Sequence, residues 1–424
     1  MTSDRPERNH DACTRHDDAP GRIHLDDEPR GRLRQDYRHL HRHPELSMQE
    51  HHTAEYLTRA LEAAGLETFR CGGTGVVGVL RNGEGPTVAF RADTDGLPIE
   101  EETGLPYASG ARGTLPDGTE VPVMHGCGHD VHTACLLGAV RHLVAQQDGW
   151  SGTLLVLFQP GEETAAGARA MVEDGLWERA PRPDVILGQH VMPIPAGEIR
   201  HITGNAMALA DSWRVTLRGR QSHGSQPQDA IDPVVLGAHI VTRLQTVVSR
   251  ELDARRSAVV TVGTFHAGLK ENIIPEQAEI TLNIRSLDEQ TRRRVLTAVR
   301  RVILAEAEAS AAPAPVIEEL YTFPLLTNDP DWTASIVEAL GAELGPDQVM
   351  ESEPLMGSED FGTLPASAGV PGVYWYFGGH DAQTLAGEHV PMNHSPHFAP
   401  EEETTLETGV RAAVAALCRA FRAG

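Results

Sequence analysis

The segment Thr153-Leu154-Leu155-Val156-Leu157-Phe158-Gln159-Pro160-Gly161-Glu162-Glu163 opens on an apolar run, turns at Pro-Gly and ends on two adjacent carboxylates. A short continuous apolar run bounded by turn residues predicts a buried strand. Glutamates are not the default where a loop leaves such a strand, which singles out Glu162 and Glu163. Working outward, apolar runs recur at residues 76–80, 87–90, 184–187 and 373–377. They alternate with helical patterns at 132–147, 168–173, 332–343 and 401–422. That alternation predicts an α/β sandwich built on a mostly parallel sheet. In such sheets ligands collect beyond the carboxyl ends of the strands. Asp93, Glu162, Glu163 and His190 all lie just past apolar runs.

Between residues 198 and 321 the pattern becomes strand 212–217, helix 233–252, strands 258–265 and 278–285, helix 289–308 and strand 315–321. The order βαββαβ is the ferredoxin-like unit. Residues 198–321 are therefore expected to be a second domain, inserted into a first made of residues 29–197 and 322–424. Residues 1–28 are rich in Asp, Arg, His and Pro, with almost no apolar residues, and are expected to be a disordered tail. Helical spacing starts near Arg32, with Leu33, Tyr37 and Leu40, and Pro44 ends it. Ser47-Met48-Gln49-Glu50 then has capping-box spacing for a helix that stops at Gly65.

At 424 residues, 40% hydrophobic and 23% charged, the chain suits a soluble enzyme of two domains. The formal charge of −24 argues against a nucleic-acid partner, because phosphates would be repelled. The one basic cluster, Arg292-Arg293-Arg294 with Arg300-Arg301, reads as a solvated helix face. No run approaches the about 20 apolar residues of a membrane span. The polar first residues lack the apolar stretch of a secretory signal. Five scattered cysteines, an odd number, do not read as a disulfide framework, so a reducing cytoplasm is the simplest setting.

Upstream of the glutamates, Met124-His125-Gly126-Cys127-Gly128-His129-Asp130 holds a thiol and an imidazole among glycines, which allow close approach to a ligand. Alone, these residues are as much at home as a buried thiol and a helix-capping histidine. His190, after the strand-like run Val185-Ile186-Leu187-Gly188-Gln189, and His394, in Asn393-His394-Ser395-Pro396-His397, are equally ambiguous singly. Together the loops offer N, S and O donors enough for two metals. One of the paired glutamates is then a ligand, and the other can take a proton from an attacking water. The pattern is that of a metal-dependent hydrolase.

On these residues the chain resembles the dinuclear metal-dependent amidohydrolase branch of the aminoacylase and carboxypeptidase family, which includes hippurate hydrolase and auxin-conjugate amidohydrolases. The resemblance runs from about residue 30 to the C-terminus. It is carried in order by His43-Pro44-Glu45-Leu46, Arg91-Ala92-Asp93-Thr94-Asp95-Gly96-Leu97-Pro98, the Cys127 and His129 loop, Gly161-Glu162-Glu163, Gly188-Gln189-His190, Asn272-Ile273-Ile274-Pro275, Gly357-Ser358-Glu359-Asp360-Phe361 and Asn393-His394. It implies that Cys127, His129, Glu163, His190 and His394 hold two divalent ions per subunit, Mn²⁺ or Zn²⁺, and that Glu162 is the general base.

Asp93 is similar to the aspartate that orients a ligand in the wider family. There a ligand histidine stands two residues earlier, where this chain has Arg91, so Asp93 is expected in the second rank behind the ligands. His223, in Gln221-Ser222-His223-Gly224-Ser225-Gln226-Pro227, resembles the lid histidine that reaches the partner subunit's site and polarises the scissile carbonyl. Asn272 and Arg285 similarly look like lid residues that hold the substrate's carbonyl or carboxylate. The implied assembly is a homodimer, with the inserted domain as lid and dimerisation unit. His41, His51, His52, His142 and His239 read as structural or surface residues, and His132 and His397 lie near the site without an assigned role.

The reaction implied is hydrolysis of a small N-acyl amino acid or similar amide, with neither nucleic acid nor membrane as partner. The same machinery would serve a dipeptidase or carboxypeptidase, which differ in pocket-shaping loops such as residues 101–122 and 374–379. A catalytically silent binding protein of this fold would not need Glu162 and every ligand. A metal-storage or redox protein built on Cys127 would need neither Glu162 nor a lid.

Overall fold

The computed structural model describes residues 23–423. They divide into two compact units, one of residues 23–204, 327–352 and 360–423 and one of residues 205–326 and 353–359. The first is built on an eight-stranded sheet in the order Glu67–Cys71, Gly75–Asn82, Gly152–Gln159, Thr87–Asp93, Val185–Pro195, Gly372–His380, Ile199–His201, Val349–Glu351. The four strands from Gly152–Gln159 to Gly372–His380 run parallel. Leu154, Val156 and Phe158 enter a core with Leu57, Val140 and Val410. Leu155 and Leu157, which alternation turns to the opposite face, are equally buried. Both faces are covered, which is why the strand reads as one continuous apolar run.

Helix His129–Ala145 packs against helices Asp27–Arg42 and Glu402–Phe421. In this packing His41 is buried between Asp130 Oδ2, at 2.7 Å, and Glu101 Oε1, at 3.1 Å. Burial opposes its charge, but hydrogen bonds to the two carboxylates outweigh that and raise its pKa to about 9. The raised pKa contributes stability that is fully present below the unfolded imidazole's value of about 6.5 and is lost as pH rises through about 9. We expect His41→Gln to be less stable than the parent, with the gap narrowing as pH rises from about 7 to about 10 in denaturant titrations. A gap that does not change over that range would mean His41 is neutral in the fold.

Residues 1–22 of the expected tail lie outside the described residues. Residues 23–28 do not form a tail. Leu25 is buried in the main core, the Ile23 N–H donates to Glu343 at 3.0 Å, and the first helix starts at Asp27. The polar composition hid this, because one leucine and one backbone bond suffice to anchor so short a segment.

The second unit follows the expected element order: strand Leu209–Arg218, helix Pro233–Thr246, strands Ala258–Ala267 and Gln277–Ser286, helix Glu289–Ala309 and strand Val316–Phe323. Its sheet runs Ala258–Ala267, Gln277–Ser286, Leu209–Arg218, Val316–Phe323, antiparallel throughout. Alternate residues Ala278, Ile280, Leu282 and Ile284 pack beneath Ile240, Leu244, Val299 and Ile303 of the two helices. Strand Ala258–Ala267 is an edge that leaves Val259 and Phe265 exposed, and Val234 and Val235 are exposed on helix Pro233–Thr246. The boundaries differ from residues 198–321. Ile199–His201 is a strand of the large sheet. Residues 353–359 join the second unit, where the Leu355 N–H donates to Ala206 O at 2.9 Å. Segments this short are placed by their partners and carry no pattern of their own.

No helix among the described residues is long and apolar enough to cross a membrane. Cys71, Cys127 and Cys135 are free and buried. Cys418 is disulfide-bonded, a pairing that the scattered spacing does not announce.

Candidate metal centre

After Gln159 the chain turns at Gly161, whose φ of 56° lies in the left-handed region that glycine adopts without strain. The 3-10 turn Glu162–Thr164 follows, closed by the Ala165 N–H on Glu162 O at 2.8 Å and the Gly167 N–H on Gly161 O at 3.2 Å. Both glutamates therefore leave the sheet on a tight turn. The Cys127 loop meets the His190 strand so closely that a Cβ on Gly128 would lie 2.3 Å from Val191 Cγ1. His190 itself lies inside strand Val185–Pro195, which runs on past the apolar residues. His394 has a φ of 68°, and its N–H donates to Gly126 O at 2.7 Å.

These elements bring the five expected ligands together. Donor atoms of Cys127, His129 and Glu163 lie within 4.8 Å of one another. Cys127 Sγ is 3.4 Å from His190 Nε2, and His394 Nε2 is 3.3 Å from Glu163 Oε1. His129 Nδ1 pairs with Asp95 Oδ1 at 3.1 Å and His190 Nδ1 donates to Val191 O at 2.7 Å, so each ring can turn an Nε2 lone pair inward. His129 Nε2 and Glu163 Oε1 are buried with no hydrogen-bond partner, a rare state for polar atoms. A cation would satisfy both.

The charge balance agrees. Burial opposes charge on His129, but Asp93, Asp95 and Glu163 overcome it and raise the imidazole to about 10. Burial, with Glu163, Glu162 and Asp93, pushes the Cys127 thiol well above its ordinary value. Burial and His132 hold His190 well below its ordinary value, so it is neutral. The cluster is short of positive charge, and a divalent ion would displace the protons that now offset it. Its donors, one sulfur with imidazoles and a carboxylate, suit a borderline ion. Glu162 is buried on the turn beside Glu163, close enough for its charge to act on the Cys127 thiol.

Asp93 is held from both sides. Arg91 Nη1 donates to its Oδ2 at 2.8 Å and His132 Nδ1 to its Oδ1, while His129 Nε2 stands 3.6 Å away. Burial would raise the Asp93 carboxyl, but His129, Arg91 and His132 hold it well below the usual range. His132 Nε2 accepts the Val191 N–H at 2.8 Å, so both its ring nitrogens are committed. Arg91, itself buried, also donates to Gln159 Oε1 at 2.9 Å and Asp360 Oδ1 at 3.1 Å. Sequence reasoning gave no role to His132, Asp95, Gln159 or Asp360. A signal for Asp95 existed: it stands two residues past Asp93, just beyond the carboxyl end of the strand, where ligands collect.

The remaining candidates lie in the second unit. Pairing of Ser222–His223 with Ile273–Ile274 brings His223 beside Asn272, and the Gly224 N–H donates to Asn272 O at 2.8 Å. His223 is exposed, and its Nδ1 accepts the Ser225 N–H at 3.1 Å, so the neutral ring carries its proton on Nε2. Arg285 stands apart on strand Gln277–Ser286, where Nε donates to Asn283 Oδ1 and Nη1 to Met356 O, both at 2.7 Å.

Residues 89–419 match the family described as peptidase family M20/M25/M40. The chain is 37% identical over 328 residues to hippurate hydrolase of Campylobacter jejuni, covering 76% of this chain and 82% of that one. It is 34% identical over 374 residues to thermostable carboxypeptidase 1 of Saccharolobus solfataricus, covering 86% and 90%. Among solved structures it is similar to a dinuclear metal-binding peptidase of the M20 family from Bacillus subtilis, at 31% identity and a TM-score of 0.75, covering 94% and 99%.

Proposed function

The chain belongs to peptidase family M20/M25/M40, and from that premise we propose that it hydrolyses N-acyl amino acids to a carboxylic acid and an amino acid. The observation that carries this is the convergence of Cys127, His129, Glu163, His190 and His394 around orphaned buried atoms, with Glu162 on the same turn. Those five side chains would hold two divalent ions, Mn²⁺ or Zn²⁺, with Asp95 fixing the His129 ring and Asp93 supporting from behind. When bound, the ions supply Lewis acidity, polarising the scissile carbonyl and acidifying the attacking water.

Glu162 takes the proton from that water as its oxygen adds to the carbonyl carbon. It then delivers the proton to the amide nitrogen, which departs as the amine. His223, protonated on Nε2, donates to the carbonyl oxygen as negative charge develops there. Asn272 helps to hold that oxygen, and Arg285, its plane set by Asn283 and Met356, pairs with the substrate carboxylate.

A panel pairing hippurate and other N-acyl amino acids with peptides of the same C-terminal residue tests the substrate class. Hydrolysis of the peptides alone would replace this reading by a carboxypeptidase, which the similarity to the S. solfataricus enzyme keeps as the second reading.

The assembly we propose is a homodimer in which His223 serves the partner's ions. The exposed edge strand Ala258–Ala267 and the exposed Val234 and Val235 support it, since an unpaired apolar edge invites a second copy. Glu162→Ala and His223→Ala, each inactive alone, are unfolded and refolded together. Half the dimers are then mixed and each has one intact site, so about a quarter of parental activity should return. No recovery, with mixed dimers confirmed by tag pull-down, would place His223 in its own subunit's site or outside catalysis.

A further inference from the structure

Ser47-Met48-Gln49-Glu50 does not form the capping box its spacing predicts. The helix starts at His51 with Glu50 at the N-cap position, but the Glu50 side chain does not cap it; the His52 and Thr53 N–H groups donate to the Glu45 carboxylate, at 3.1 and 2.8 Å. The Ser47 hydroxyl donates instead to Asp95 Oδ2 at 2.6 Å, an oxygen that also accepts the Glu163 N–H at 3.1 Å. The Glu50 carboxylate is fully buried and reaches away from its helix. Its Oε1 accepts the N–H of Gly161 at 2.8 Å and that of Met48 at 2.9 Å, and its Oε2 accepts the Thr74 hydroxyl.

A single carboxylate oxygen thus ties together two backbones, and both are left-handed: Met48 has a φ of 63° and Gly161 of 56°. For a side chain such as methionine that conformation is strained and persists only where its surroundings impose it. The Met48 side chain also fills the space over Gly161, where a Cβ would lie 2.6 Å from Sδ. None of the Ser47 and Glu50 side-chain bonds serves the helix that follows. The two bonds to Oε1 bear on the turn that begins at Gly161.

We propose that Glu50 is a positioning residue for the hydrolytic reaction, bridging Met48 and Gly161 so that the turn carrying Glu162 and Glu163 stays in register with the other ligands. This rests on the reading of Glu162 as base and Glu163 as ligand. Glu50 acts through the backbone and touches neither substrate nor ion. Without it, the buried Gly161 N–H loses its acceptor and the turn relaxes toward another partner. A displacement of about 1 Å at a reacting group costs on the order of 10²-fold in rate.

The test compares Glu50→Ala, Glu50→Gln and Thr74→Val in the full-length, metal-loaded protein. Glu50→Ala should lower kcat by about 10–100-fold with KM within about twofold. Glu50→Gln should recover most of it, because the amide oxygen still accepts both N–H groups while the Thr74 hydroxyl rotates to accept from the amide. Thr74→Val removes a bond to the same carboxylate without touching Gly161, so it should cost stability and leave kcat near the parental value. Amide hydrogen exchange over residues 160–167 should quicken in Glu50→Ala alone.

Parental kcat and exchange in Glu50→Ala, or an equal kcat loss in Thr74→Val, would overturn the proposal. If Glu50→Ala yields no folded protein, Glu50→Asp carries the test, since it keeps the charge but shortens the reach by one methylene. The same fall in kcat and rise in exchange is then expected, and parental values would overturn the idea. Glu162→Ala is run alongside on the same N-acyl amino acid. Full turnover by that variant would sink the functional reading itself, whereas an inactive Glu162→Ala beside a parental Glu50→Ala sinks only the role of Glu50.

Discussion

Glu162→Ala is expected to lose at least the ~10²–10⁴-fold in kcat that a general acid–base group supplies, while folding normally and keeping its metal. The two neighbouring glutamates differ in what their carboxylates meet. Glu163 Oε1 sits 3.3 Å from His394 Nε2 and 3.9 Å from His129 Nε2, inside the ligand cluster. Glu162 is outside that trio, although its charge reaches the Cys127 thiol. Glu163→Ala should therefore fail by losing an ion, with activity falling alongside metal content. Glu162→Ala should remain loaded and fail in the chemical step. Metal analysis of the two purified variants, beside kcat at saturating substrate, separates the cases. A metal-depleted Glu162→Ala with a loaded Glu163→Ala would exchange the two roles.

Removing metal is expected to abolish turnover and to lower the unfolding midpoint. The carboxylates Asp93, Asp95, Glu162 and Glu163 crowd around few positive groups, and the buried His129 Nε2 and Glu163 Oε1 have no hydrogen-bond partner. An ion that binds the fold and not the unfolded chain stabilises by about 2.7 kcal/mol at a hundred times its dissociation constant. Chelation should remove that increment, and adding Mn²⁺ or Zn²⁺ should restore both stability and activity. The Cys127 thiolate favours Zn²⁺, whereas the imidazoles and carboxylate also suit Mn²⁺, so the ion that restores more activity reports which donors dominate. Full activity in thoroughly metal-free protein would remove the basis of the mechanism.

Residues 153–163 show what could be read directly. A strand covered on both faces must be apolar at consecutive positions, and a turn must follow before two carboxylates can be displayed. The βαββαβ succession was legible for a similar reason: each element has its own periodicity, and the antiparallel order follows from the connections. The cluster of donors was legible because few residue types bind a metal, and the structure brings those of Cys127, His129, Glu163, His190 and His394 close together. Ser47-Met48-Gln49-Glu50 shows the opposite case. Its spacing is that of a helix cap, yet Ser47 bonds to Asp95 and Glu50 to Gly161, residues 48 and 111 positions away. Spacing describes neighbours along the chain, and a buried carboxylate pairs with whichever donor the fold presents.

The sequence by itself determined the class of fold, the two-unit organisation and which donor residues and paired glutamates to look for, because each rests on local periodicity or on residue chemistry. Only the tertiary structure decided how those donors are held. Arg91 and His132 clasp Asp93, Asp95 orients His129, and His41 joins Asp130 to Glu101. It also decided that Leu25 belongs to the core and that Ile199–His201 belongs to the large sheet. The reason is common to all of these. A hydrogen bond between buried groups depends on distances of about 3 Å across segments far apart in the chain, and those distances exist only once the sheet has brought the segments together.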